Sequence, residues 1–238
     1  MTGWLILLNI IQPQAFSLLY VKIIMLFMGN NIMSAGIPNH LIAILRGISP
    51  DAVIGVGQIL YDAGWRCIEV PLNSPDPFTS IEMLQDHFGN DCLIGAGTVL
   101  TPNQVELVYK TGAKLIVSPN TDADVIRQTK QAGMMSVSGC FTPTEAFDAL
   151  KHGADALKIF PGESINPNHI KALRSVLPKK TLIYVTGGID AGNMQGFYHA
   201  GANGFGFGGA LYKTDKLSAD MKHDSIKILQ NFQDIIVN

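Results

Sequence analysis

Three ionisable side chains stand late in short apolar runs: Arg46 in IAILRG, Glu69 in WRCIEVP and Lys158 in DALKIFP. Lys158 lies between Leu157 and Ile159 in a run that otherwise reads as a buried strand. An ammonium group held among apolar neighbours loses hydration, so its charged form is disfavoured and its pKa falls. The neutral amine is a nucleophile. It attacks a carbonyl to give an imine, whose positive nitrogen withdraws electrons and makes carbon–carbon cleavage or proton abstraction feasible. Such chemistry needs a group that moves protons, and Glu69 suits this if it shares a face with Lys158. The same two residues also fit a buried ion pair that only holds strands together, and spacing alone leaves both readings open.

A second signal lies further along the chain. VTGGID and GFGFGGALY present bare backbone amides at Gly187, Gly188, Gly208 and Gly209. Successive amides in turns, followed by helix starts at Asp190 and near Ala210, would make a cradle for phosphate; ordinary tight turns are the alternative. No metal site is expected, because His40, His87, His152, His169, His199 and His223 form no i, i+2 or i, i+4 pair and none lies at a strand end; no cofactor is expected either. Cys67, Cys92 and Cys140 are widely spaced, contain no CxxC and read as buried, reduced thiols of a cytoplasmic protein.

The elements that position these groups follow a beat. Apolar, β-branched runs start near Leu41, Trp65, Cys92, Ala113, Met134, Asp155, Thr181 and Asn203, a spacing that fits one strand, one loop and one helix per unit. Gly64, Gly112, Gly133, Gly153 and Gly201 each stand just before a run, where glycine ends a helix in the left-handed conformation. Ser49, Thr101 and Thr142 precede a proline, the pattern of a helix cap. Continuously apolar strands alternating with helices imply a parallel sheet covered on both faces. The economical closure is a single-domain α/β (β/α)8 TIM barrel. The runner-up, an open doubly wound sheet, lacks its glycine fingerprint, since RGISPDAV is not GxGxxG.

In such a barrel chemistry sits where strands end and stability where they begin. Lys114 and Asp155, at strand starts, therefore read as structural, and Arg46, Glu69 and Lys158 read as the site. Formal charge is −2 over 238 residues with no basic cluster, which argues against nucleic acid and for a small ligand. Residues 1–36 form an apolar extension outside the expected fold. Gln12, Pro13, Gln14 and Lys22 break it, so neither piece reaches the roughly 18 apolar residues a membrane span needs, and no stable membrane insertion is expected. The native chain is expected to start at Met28 or Met33, which mass spectrometry of the native N-terminus would refute by finding Met1 or Thr2. The barrel is assigned to 37–215 and a closing amphipathic helix to 216–238.

IAILRG, IEVPLNSP, LIGAGTVL, LIVSPN, ALKIFP and TGGI occur together in the order and spacing of the class I 2-keto-3-deoxy-6-phospho-sugar-acid aldolases, which the chain resembles from about Ile37 to Lys213. LRG and EVPLNSP are similar to the phosphogalactonate branch; the phosphogluconate branch has an EVTLRT pattern where this chain has Pro71 and Asn73. The resemblance implies that Lys158 forms a Schiff base with pyruvate and that Glu69 is the general acid and base. It implies further that Arg46 and Thr98 contact the keto-acid end and that Gly188, Gly208 and Gly209 hold the phosphate. It also implies a metal-free homotrimer that releases pyruvate and glyceraldehyde 3-phosphate. Two departures stand out: Gly209 replaces a serine found in some relatives, and PGES follows Phe160 in place of a small-residue loop. Competing readings are a barrel isomerase with Glu69 as base and a non-catalytic sugar-phosphate receptor, membrane-associated through its first 28 residues.

Overall fold

The structure, a computed structural model, describes residues 37–215 and 218–237, so the 1–36 extension lies outside the described residues. Eight strands alternate with helices: β1 (Leu41–Ile44), β2 (Cys67–Pro71), β3 (Leu93–Gly97), β4 (Leu115–Val117), β5 (Met135–Cys140), β6 (Ala156–Ile159), β7 (Leu182–Thr186) and β8 (Gly204–Phe207). The helices are α1 (Pro50–Ala63), α2 (Pro77–Phe88), α3 (Pro102–Lys110), α4 (Ala123–Gln131), α5 (Pro143–Lys151), α6 (Pro167–Val176), α7 (Met194–His199) and α8 (Ser218–Val237). All strand pairs are parallel, and β8 returns to β1 through Leu41 with Phe205, Ile42 with Gly206 and Ala43 with Phe207. The sheet is therefore a closed barrel, and the open-sheet alternative is excluded.

Local chemistry explains the beat. Each of the five junction glycines has a left-handed backbone, with φ from 71° at Gly133 to 110° at Gly201, a region that carries a steric penalty for any residue with a Cβ. Thr101 and Thr142 form full capping boxes with Gln104 and Glu145, each satisfying two amides that a helix start leaves without partners. Ser49 occupies the cap position of α1 without donating or accepting a side-chain capping bond. Of the two charges placed at strand starts, Asp155 staples the barrel's lower face: it pairs with Lys130 at 2.7 Å and accepts from the Ser136 amide at 2.8 Å. Lys114 is exposed.

Alternation of side chains sorts the strands into two cores. Outward residues such as Ile68, Val70, Ile94, Leu157, Ile159, Ile183, Val185, Phe205 and Phe207 pack against the helices. Inward residues Ile42, Ile44, Cys67, Leu115, Val117, Val137, Ala156 and Tyr184 fill the barrel itself. Full burial of each large aliphatic side chain contributes about 1.5–3 kcal/mol against the entropy of ordering the chain. The barrel floor is closed by Tyr184, whose hydroxyl lies 3.3 Å from His40 Nδ1. The same period-2 alternation puts Glu69, two residues after Cys67, and Lys158, two after Ala156, on the inner face nearer the strand ends. Helix α8 packs Met221, Ile228, Leu229 and Phe232 into the outer core.

All three cysteines are free and buried. Burial pushes the Cys92 thiol up to about 11 and the Cys140 thiol up to about 12, so they remain protonated and weakly nucleophilic at neutral pH.

Candidate active site

Lys158 is 5% exposed and Glu69 1% exposed, both facing into the barrel near its C-terminal end. Loss of hydration lowers the Lys158 pKa; the Glu69 charge opposes that shift, and the Arg46 charge reinforces it. Burial raises the Glu69 carboxyl to about 7, with Lys158 and Arg46 pulling the other way. The two groups interact electrostatically, yet among the described residues no ion pair joins them. One carboxylate oxygen of Glu69, Oε2, is buried without a hydrogen-bond partner. A purely structural ion pair would use that oxygen and would hold both groups fully charged. Here both titrations move toward neutrality, the state in which an amine attacks and a carboxyl exchanges protons.

Neighbouring glycines and an aromatic shape the space. A Cβ at Gly97 would lie 1.8 Å from Glu69 Oε2, so the carboxylate extends across β3 only because that position has no side chain. The ring of Phe160 stands 4.9 Å from Lys158 Nζ at the mouth of the barrel. Thr186, 5% exposed, adds an inward hydroxyl at the end of β7. Sequence reasoning missed it, although the period-2 alternation that placed Lys158 also gives its direction.

Arg46 follows β1 and is exposed at the rim, where its charge still acts on both Glu69 and Lys158. The strand ends at Ile44, and Gly47 turns with φ 83°. Arg46 Nη1 donates to Asn73 Oδ1 at 2.7 Å, and the Gly47 amide donates to Ser74 Oγ at 2.9 Å. Sequence reasoning noted Asn73 only as a branch marker; its contact with Arg46 is tertiary. Thr98, just past β3, has φ 56°, which is an outlier for a β-branched residue. Such strain costs on the order of 1–3 kcal/mol and concentrates at functional sites.

The glycine-rich turns lie side by side, because Thr186 of β7 is the register partner of Gly206 of β8 and neighbouring strands run about 4.8 Å apart. Gly187 and Gly188 have φ 93° and 68°. Across from them, a Cβ at Gly208 would meet nothing within 4 Å, and one at Gly209 only Lys213 Cε at 3.9 Å. This bank is open, with one cation beside it. The expected helix starts are not found as read. Helix α7 begins at Met194, and Asp190 Oδ1 itself accepts from the Gly192 and Asn193 amides, at 2.7 Å and 3.0 Å. An anion has no use of amides already capped by a carboxylate. Near Ala210 the chain makes only one turn, with the Leu211 and Tyr212 amides donating to the Gly208 carbonyl. Two charged residues beside these glycine turns, Glu163 and Lys213, carry no local mark of which strand-end loop they face.

Among the described residues no group of three or more His, Cys, Asp or Glu side chains gathers as a metal centre would, and no helix is long and apolar enough to cross a membrane.

Comparison with known proteins points the same way as the geometry. The family model described as "Aldolase: KDPG and KHG aldolase" matches residues 34–229. The 2-dehydro-3-deoxy-6-phosphogalactonate aldolase of Escherichia coli (strain K12) is 48% identical over 175 residues, covering 73% of this chain and 85% of its own. A probable 2-dehydro-3-deoxy-6-phosphogalactonate aldolase of Rhizobium meliloti (strain 1021) is 44% identical over 189 residues, covering 79% and 89%. A solved native KDPGal structure superposes with a TM-score of 0.83 at 39% identity, covering 87% of this chain and 99% of that one.

Proposed function

Because the chain belongs to the KDPG and KHG aldolase family, we propose that this carbon–carbon lyase cleaves 2-dehydro-3-deoxy-6-phosphogalactonate to pyruvate and glyceraldehyde 3-phosphate through a Schiff base on Lys158. Two relatives carrying that substrate in their names support the galacto branch, as does Pro71–Asn73 in place of the EVTLRT pattern. The observation that carries the mechanism is the pairing of a desolvated lysine with a carboxyl raised to about 7 in one water-poor barrel end.

In this reading the neutral Nζ of Lys158 attacks the C2 carbonyl of the sugar acid, and Glu69 in its acid form protonates the carbinolamine hydroxyl, so that loss of water gives the iminium. Glu69 as carboxylate takes the C4 hydroxyl proton. The C3–C4 electrons move to the iminium nitrogen, the aldehyde leaves, and an enamine of pyruvate remains. Glu69 returns its proton to C3, and water then hydrolyses the imine to free pyruvate and the amine. Arg46 and Thr98 meet the keto-acid end, while Gly188, Gly208 and Gly209, with Lys213 beside them, meet the phosphate. No metal or cofactor enters these steps.

The direct test is incubation with pyruvate and borohydride, followed by peptide mass mapping. An adduct on Lys158 is expected, and a ligand-bound protein without one would leave the isomerase or receptor readings. Cleavage assays on the galacto and gluco epimers then read sugar preference. The same proposal includes a cytoplasmic homotrimer, for which the exposed Phe141, Phe147, Leu107 and Tyr109 offer apolar surface; light scattering of the purified protein tests the trimer.

Two weaker substitutions separate positioning from chemistry. Asn73→Ala removes one hydrogen bond to Arg46, so the KM for the keto acid should rise by about 3- to 10-fold with kcat little changed, the size of one such bond. An unchanged KM would remove Arg46 from the keto-acid end. Thr98→Gly relieves the left-handed strain and should raise stability by about 1 kcal/mol in denaturant titration, while the KM for pyruvate rises several-fold with loss of the hydroxyl. Gained stability without a change in KM would make Thr98 a bystander.

A further inference from the structure

The loop after β6 reaches over to the end of β7. A Cβ at Gly162 would lie 2.7 Å from the Gly187 carbonyl oxygen and 3.2 Å from that of Thr186, so the Gly162–Ser164 turn is seated directly on that backbone. One residue on, a Cβ at Gly188 would lie 2.5 Å from Glu163 Cβ and 2.8 Å from Glu163 Oε2. The carboxylate oxygen therefore rests within about 4.5 Å of the Gly188 Cα, one bond length further away. Among the described residues no lysine or arginine forms an ion pair with Glu163. The bank across from it, at Gly208 and Gly209, is open, with the Lys213 side chain at its edge.

We propose that Glu163 is a specificity-determining residue at the phosphate end, a carboxylate that competes with the substrate phosphate for the Gly187–Gly188 side of the cradle. The inference rests on assigning those glycines to phosphate. A negative group on one bank lowers the affinity for a dianion and pushes it toward Gly208, Gly209 and Lys213. It weakens retention of the phosphorylated aldehyde product and of inorganic phosphate alike. The seating of Gly162 on the β7 backbone holds the backbone at Glu163 beside the cradle, and the exposed carboxylate reaches Gly188 from there.

The test compares the wild-type chain with Glu163→Gln, which keeps shape and removes charge, for the phosphorylated sugar acid, its unphosphorylated analogue and inorganic phosphate as inhibitor. One charge facing a phosphate about 5 Å away in a largely aqueous setting corresponds to roughly tenfold in affinity at low ionic strength. Glu163→Gln should lower both the KM for the phosphorylated acid and the inhibition constant of phosphate about tenfold. It should also raise the phosphorylated-to-unphosphorylated ratio of kcat/KM by the same factor, with the difference shrinking as salt is raised to about 0.5 M. Glu163→Ser, which removes charge and bulk together, should give a shift in the same direction and guards against an effect peculiar to glutamine. Unchanged constants in both folded variants, with a wild type that still prefers the phosphorylated acid and is inhibited by phosphate, would overturn the role of Glu163 alone. A wild type indifferent to phosphate in both assays would overturn the cradle and this inference with it.

Discussion

Lys158→Met is expected to reduce cleavage by at least about ten-thousand-fold, since among the described residues no other buried lysine supplies an amine and nucleophile removal has effects of this order. Borohydride trapping of pyruvate should vanish with it. Stability should move the other way. In the folded chain the Lys158 pKa lies below its ordinary value of 10.5 because burial disfavours the ammonium. Between the lowered value and 10.5 the unfolded chain binds a proton that the folded chain does not, so wild-type stability rises with pH through that window. Below it the full penalty of a desolvated ammonium remains. Methionine, close in volume and apolar, carries none of this, so Lys158→Met should melt higher at neutral pH, by about 2–4 °C for each kcal/mol recovered, and should lose the alkaline rise. Retained cleavage, or an adduct found on a different lysine, would end the assignment.

Glu69→Gln should leave the pyruvate adduct on Lys158 detectable while lowering kcat by about a hundred- to ten-thousand-fold, the range for a positioned proton carrier. With the carboxyl raised to about 7, wild-type cleavage should fall on the acid side of that value as the base form is lost, and the glutamine variant should lack this limb. The stability consequence has a definite sign. From 4.5 to about 7 the folded chain keeps a proton on Glu69 that the unfolded chain has released, so stability falls as pH rises through the window. Glu69→Gln should flatten that slope. A variant with normal kcat, or a wild type whose rate ignores pH near 7, would assign proton transfer elsewhere.

The two substitutions interrupt different steps. Lysine removal stops the covalent step, whereas glutamine at position 69 lets the adduct form and stalls the proton transfers after it. A receptor that merely binds sugar phosphates predicts neither the trapped adduct nor the loss in either variant.

Much of this was legible along the chain because it depends on near neighbours. Gly64, Gly112, Gly133, Gly153 and Gly201 mark helix ends by a backbone region that only glycine enters cheaply. Thr101 and Thr142 mark helix starts by bonds made within one turn. The repeat of strand and helix leads to a barrel, and strand alternation gives the direction of Lys158 and Glu69 once one inward neighbour is known. The motifs from IAILRG to TGGI carried the family without any coordinates.

What the line of residues left open concerns approach across loops. Whether Lys158 and Glu69 neutralise each other in a direct pair depends on the stagger of β2 against β6, which no local pattern encodes. The same holds for Asn73 under Arg46 and for Glu163 against Gly188, which meet only because β1, β2, β6 and β7 end at one rim. Asp190 shows the converse error: its position suggested an anion site, but its own carboxylate caps the amides concerned. Sequence by itself determined the repeat of strand and helix, the barrel and which side chains are candidates for chemistry, because periodicity and turn chemistry act over a few residues. Tertiary structure alone decided burial, partner and proton state, because closing the barrel is what removes water from two of these groups, while the third, Arg46, stays exposed at the rim beside Asn73.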